Sequence, residues 1–105
     1  MTLVKMKHPS NNYHTALYPS TIRELADLNP EAVILEPREQ FNEAYVGYVT
    51  SVGIEARAVY DVQLIIDALM KHDNMEEMDA WDHYSYNIEG LGLPHAPVFL
   101  YKEYK

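Results

Sequence analysis

The chain of 105 residues contains no cysteine. That excludes disulfides, thiolate metal sites and cysteine nucleophiles, and it fits a reducing compartment such as the cytoplasm. Basic residues are scarce: eight Lys and Arg stand against sixteen Asp and Glu, a net charge of −8. With no basic stripe to displace counterions, direct nucleic-acid binding is not expected. A basic protein surface is the partner such a charge favours. No window approaches the roughly 18 consecutive apolar residues of a membrane span, so no membrane contact is expected. The opening MTLVKMKHPSNNYH lacks the apolar run of a secretory signal.

The usual chemical signatures are missing as well. There is no G-x-S-x-G, no Walker or Rossmann glycine loop and no H-E-x-x-H. Gly90-Leu91-Gly92 is too short a match and precedes a strand, so it lacks the helix dipole a phosphate needs. No cofactor and no catalytic residue is assigned, and the reading leans away from an enzyme.

What is present is an ordinary globular composition, 48% hydrophobic and 23% charged. At this length the chain forms one domain, residues 1–105, with 1–18 read as a loose N-terminal segment. Alternation at Leu3, Val4 and Met6 suggests a short edge strand, and His8–Asn12 a turn. A two-turn helix follows, with Ser20 as its N-cap, Glu24 near the capping-box position three residues beyond Thr21, and Ile22, Leu25 and Leu28 on one face. Asn29-Pro30 ends it. Ala32–Leu35, between Pro30 and Pro37, has the length and β-branched centre of a buried strand.

Phe41–Val49 fits a helical face and a strand about equally. The reading adopted is a helical or turn entry at Asn42–Ala44 and then a strand. Residues 51–55 form a turn and 56–60 a strand, which makes an antiparallel hairpin. Asp61 caps a helix whose stripe is Val62, Ile65, Ile66 and Leu69. Lys71 and His72 suit its C-terminal end. Asn74, paired with Glu77 in a capping box, opens a second helix that closes at Gly90. Met78, Trp81, Tyr84 and Ile88 mark its inner side, while Glu76, Asp79 and Asp82 face out. Pro97–Tyr101 is a last strand. The predicted fold is α+β: a small, mainly antiparallel sheet of three to four strands packed by a helix–turn–helix pair, plus a short N-terminal helix.

Between Asp61 and Glu89 the acids are Asp61, Asp67, Asp73, Glu76, Glu77, Asp79, Asp82 and Glu89, opposed only by Lys71. A solubilising surface accounts for most such faces. The functional alternative is docking to a basic surface, including one that normally receives nucleic acid. Nine tyrosines suit half-buried positions and interfaces. The binding surface is accordingly placed at Trp81, Tyr84 and Tyr86, with Glu76, Asp79 and Asp82 around them. Asp79 and His83, one helical turn apart, are a weak metal half-site that lacks a clear third ligand, His72 or His95 being the alternatives. No metal is assigned.

The segment from about Glu31 to Tyr101 resembles a group of small hypothetical proteins carried by bacteriophages, plasmids and bacteria. The matching features are ILEPREQFNEAYVGYV, then AVYDVQLIIDALM, then Met75, Glu77 and Asp79–Tyr84 in a helix, then Tyr86-Asn87, Gly90 and Pro97–Phe99. The chain departs from the pattern at Leu91–His95, where a more polar turn is expected, and its first thirty residues lie outside the match. The resemblance implies a mobile-element setting, a compact fold and no established activity, and it carries over no catalytic residue. In that setting the expected function is a non-enzymatic acidic interaction protein that binds and modulates a host protein. Its partner is a host or self protein, a homodimer is expected, and its location is the cytoplasm, the host's if phage-encoded. The alternatives are a small-nucleotide binder with a tyrosine-lined dimer groove and a small metal-dependent enzyme.

Overall fold

A computed structural model of the protein describes residues 2–5 and 20–103. The turn read at His8–Asn12 and most of the N-terminal segment lie outside them. The elements run β1 (Thr2–Lys5), α1 (Ser20–Leu28), β2 (Val33–Glu36), α2 (Arg38–Phe41), a 3-10 turn (Asn42–Ala44), β3 (Tyr45–Ser51) and β4 (Ile54–Asp61). Then come α3 (Val62–His72), α4 (Glu77–Asn87), a second 3-10 turn (Glu89–Leu91) and β5 (Val98–Leu100). The fold is α+β, as the sequence predicts, and the ambiguous Phe41–Val49 resolves into a helical entry followed by a strand.

β1 and β2 pair antiparallel. The second sheet has the order β3-β4-β5, antiparallel across β3–β4 and parallel across β4–β5. The hairpin turns at Val52-Gly53, where Gly53 has φ +80. A parallel neighbour cannot be reached by a tight turn and needs a crossover; α3 and α4 supply it. Along β4 the side chains alternate. Ala56, Ala58 and Tyr60 face the core, with Tyr45, Tyr48 and Phe99 packed beside them. Glu55, Arg57 and Val59 point the other way.

The core joins α1 (Ile22, Leu25, Ala26), β2 (Ile34, Leu35), Phe41, Ala44, α3 (Ile65, Ile66, Leu69), α4 (Ala80, Tyr84) and Ile88 just after it. Each large aliphatic or aromatic side chain fully buried here stabilises the fold by about 1.5–3 kcal/mol. In α1 the buried series is 22, 25, 26 and 29, so Leu28, placed on the inner side from the sequence, is 57% exposed. A strict spacing of three drifts off a 3.6-residue repeat, and Asn29 takes the inner place. The helix already includes Ser20, one residue earlier than a Ser20 cap requires.

Asn29 is buried and acts as a clasp. Its Nδ2 donates to Ala56 O (2.8 Å) and lies 3.2 Å from His95 Nδ1, while its Oδ1 accepts from Glu31 N (3.1 Å). The end of α1 is thereby tied to β4 and to the loop before β5. Val33 N donates to His95 O (3.1 Å), which joins the same loop to β2.

Asp61 caps α3 as expected, its Oδ1 accepting from Leu64 N at 3.1 Å. Asn74 does not cap α4. It has φ +56 and belongs to the connection, and the cap position falls to Glu76 without a side-chain bond. Helix α4 ends at Asn87, with Ile88 as C-cap, rather than at Gly90.

A candidate interaction face on α4

Helix α4 turns about 100° per residue. Ala80, Trp81, Tyr84 and Ile88 therefore share its inner side. Met78, Asp79, Asp82 and Tyr86 fall within one outward arc of about 100° by the same geometry. Met78, placed inward by the sequence reading, is 76% exposed, and the small Ala80 is buried in its stead. Counting only large residues as core misses an alanine that lets a helix approach its neighbours.

The predicted binding surface divides accordingly. Tyr86 is 76% exposed, and Glu76, Asp79 and Asp82 are exposed beside it. Tyr84 is 1% exposed, so it offers no contact area and is corrected to a core residue. Trp81 is half-buried, edge-on to Tyr84 with ring centroids 6.0 Å apart. It helps line a shallow groove of about 230 Å³ with Val62, Gln63, Tyr101 and Lys102.

The inner side ends in a small polar cluster. Tyr84 and Tyr101 hydroxyls both reach Glu89 Oε2, at 3.1 and 2.9 Å, and lie 3.0 Å from each other. Each phenol has one proton, so when both donate to the carboxylate the approach between them is a contact rather than a bond. Burial, followed by the Tyr101 and Glu89 contacts, holds the Tyr84 phenol far above its ordinary pKa. Tyr101 is raised too, first by burial, with a lowering contribution from Tyr84 and raising ones from Glu89. These phenols stay neutral in the folded protein at physiological pH. Their hydroxyls anchor the end of α4 to Glu89.

The described tyrosines do not gather on one open surface. Tyr45, Tyr48, Tyr60 and Tyr84 contribute to the core or pack against it, and among the described tyrosines only Tyr86 and Tyr101 are exposed. Asp79 and His83 lie one turn apart on the same side of α4, but His83 Nδ1 sits 3.3 Å from Asn87 Nδ2 and its Nε2 is enclosed without a hydrogen-bond partner. That is the setting of a packed ring. His72 is exposed at the end of α3, and His95 is held by Asn29. Among the described residues no three His, Asp or Glu side chains are gathered as a metal-ligand set. Nor is any described helix long and apolar enough to cross a membrane. No family model, curated protein or solved structure matches the chain.

The sequence reading missed three features with a part in this geometry. They are the Asn29 clasp, the Glu89–Tyr101 cluster, and a Lys102 Nζ to Asp61 Oδ2 ion pair of 3.0 Å. All join residues far apart in the chain, and periodicity carries no signal for such pairs.

Proposed function

We propose that this is a non-enzymatic interaction protein, an accessory factor of a phage or other mobile element that binds and modulates a host protein through the outward side of α4. The observation that carries the reading is the placement of Met78 and Tyr86, each 76% exposed, on the same arc as Asp79 and Asp82. Aromatic residues and methionine are enriched where proteins meet, and a few such anchors dominate binding energy. The neighbouring acids give a field that steers a basic partner and sets orientation. The resemblance to small mobile-element proteins supplies the setting.

The test is capture from host lysate with wild type and two double variants, Met78→Ala/Tyr86→Ala and Asp79→Lys/Asp82→Lys. A specific host protein held by wild type and lost by both variants, with unchanged melting, is the expected result. A host protein held equally by all three sinks the proposal. Binding that weakens steeply with salt favours a partner surface built for nucleic acid, and binding indifferent to salt opposes that variant.

A further inference from the structure

The outer side of the β3–β4 hairpin carries a feature that α4 does not explain. Val49, Ile54, Glu55, Arg57 and Val98 are among the residues lining a shallow groove of about 510 Å³. Val49 is 44%, Ile54 57% and Val98 39% exposed, and Val52 at the hairpin turn is fully exposed. Arg57 is half-buried in this groove, and its Nε is enclosed without a hydrogen-bond partner. A guanidinium N–H enclosed without a partner is costly.

Glu55 and Arg57 lie two residues apart on β4, so they share one face of the sheet. This decides between occupants. A small anion drawn to Arg57 meets the Glu55 carboxylate at once. A second copy of the chain, related by a two-fold axis in the plane of the face through Ala56, lays its β4 antiparallel over the first. Glu55 of each copy then stands over Arg57 of the other, and each Val52 extends past the opposing groove towards Val98. Two reciprocal ion pairs form, and the Val49 and Val98 surface leaves water.

We infer that the protein self-associates through this face of the hairpin, as a two-fold dimer registered by Glu55 and Arg57. Three strands about 4.8 Å apart and some six residues at about 3.4 Å give a footprint of roughly 14 by 20 Å. That is well short of the roughly 800 Å² per partner in a standard stable interface. The dimer is therefore weak and reversible, dissociating at micromolar concentrations or above, and it leaves α4 free.

Sedimentation equilibrium of the full chain from about 1 µM to about 1 mM reads this range directly. Wild type is expected to shift from monomer to dimer across it. Arg57→Glu or Glu55→Arg places like charges together and weakens the dimer at least about tenfold. The double reversal Glu55→Arg/Arg57→Glu restores it. Glu55 is exposed, so its single reversal carries the test even if Arg57→Glu fails to fold. A monomer throughout, or a dimer indifferent to the reversals (as pairing along the β3 edge gives), overturns the inference. Reversal without rescue by the double variant overturns it equally.

Discussion

Asp61 does two jobs with one carboxylate. Oδ1 caps the first turn of α3 and Oδ2 meets Lys102, while the side chain itself is 2% exposed. Removing the partner of a buried charge costs more than the pair contributes, but Lys102 is 46% exposed and water shields part of that loss. Lys102→Ala should cost about 1–2 kcal/mol in urea unfolding on these grounds. Asp61→Ala loses cap and pair together and should cost about 2–4 kcal/mol. Asp61→Asn keeps a capping oxygen and should fall between them. Little added loss from Lys102→Ala in the Asp61→Asn background is the expected sign of coupling.

Tyr84 combines a buried ring with a hydroxyl tied to Glu89. Tyr84→Phe keeps the ring and should cost about 1 kcal/mol, whereas Tyr84→Ala should cost about 3–5 kcal/mol. The raised phenol also fixes a pH dependence. Its folded pKa lies above the unfolded value, so its contribution to stability is complete below about pH 10 and is lost as pH rises beyond it. Tyr101 and Tyr45 are shifted in the same direction, Tyr45 mainly by burial and against the lowering effect of its Thr21 hydrogen bond. Alkaline unfolding followed at the tyrosinate absorbance should show these phenols ionising with loss of structure. In Tyr84→Phe the alkaline loss should be shallower.

At the scale of elements, the turn after α4 depends on a glycine. A Cβ built on Gly90 lies 2.5 Å from Ser85 O, a backbone atom that cannot step aside. Gly90→Ala should therefore cost about 1–3 kcal/mol by overpacking, with the earliest amide exchange in residues 85–91. A melting point equal to wild type refutes that account of the turn.

Elements whose signal is local were legible in the sequence. The hairpin, the Asp61 cap, the α3 stripe and the strand after Pro97 all rest on a few neighbouring residues. Elements settled by distant contacts were not. Asn74 has the composition of a cap, but the connection bends it to positive φ and α4 starts later. Met78 and Leu28 have the size of core residues, yet helical register puts Ala80 and Asn29 in those places. Of the proposed surface, Tyr86 and the acids were legible because polarity and helix phase agree. Tyr84 was not, since its partners Glu89 and Tyr101 come from the following turn and the residue after β5.

Over the whole molecule, sixteen acids against eight basic residues give a compact state that repels itself. The Asp61–Lys102 pair is only partly open to screening, because its carboxylate is buried although Lys102 is half-exposed. Moderate NaCl should therefore raise the melting temperature by a few degrees, since it relieves repulsion more than it weakens that pair. A melting temperature that falls with salt would show that exposed attractions such as Lys71–Glu43 outweigh the repulsion.

The parallel pairing of β5 with β4 has a consequence for synthesis. Residues 98–102 leave the ribosome last among those that complete this core, and until they arrive β4 keeps an unpaired edge, Asp61 lacks Lys102, and Tyr84 lacks Tyr101. A released chain truncated before Val98 thus has its helices without the strand that closes the sheet. It should be cut readily by protease, and resistance should come with the few residues that bring Tyr101 and Lys102 into reach.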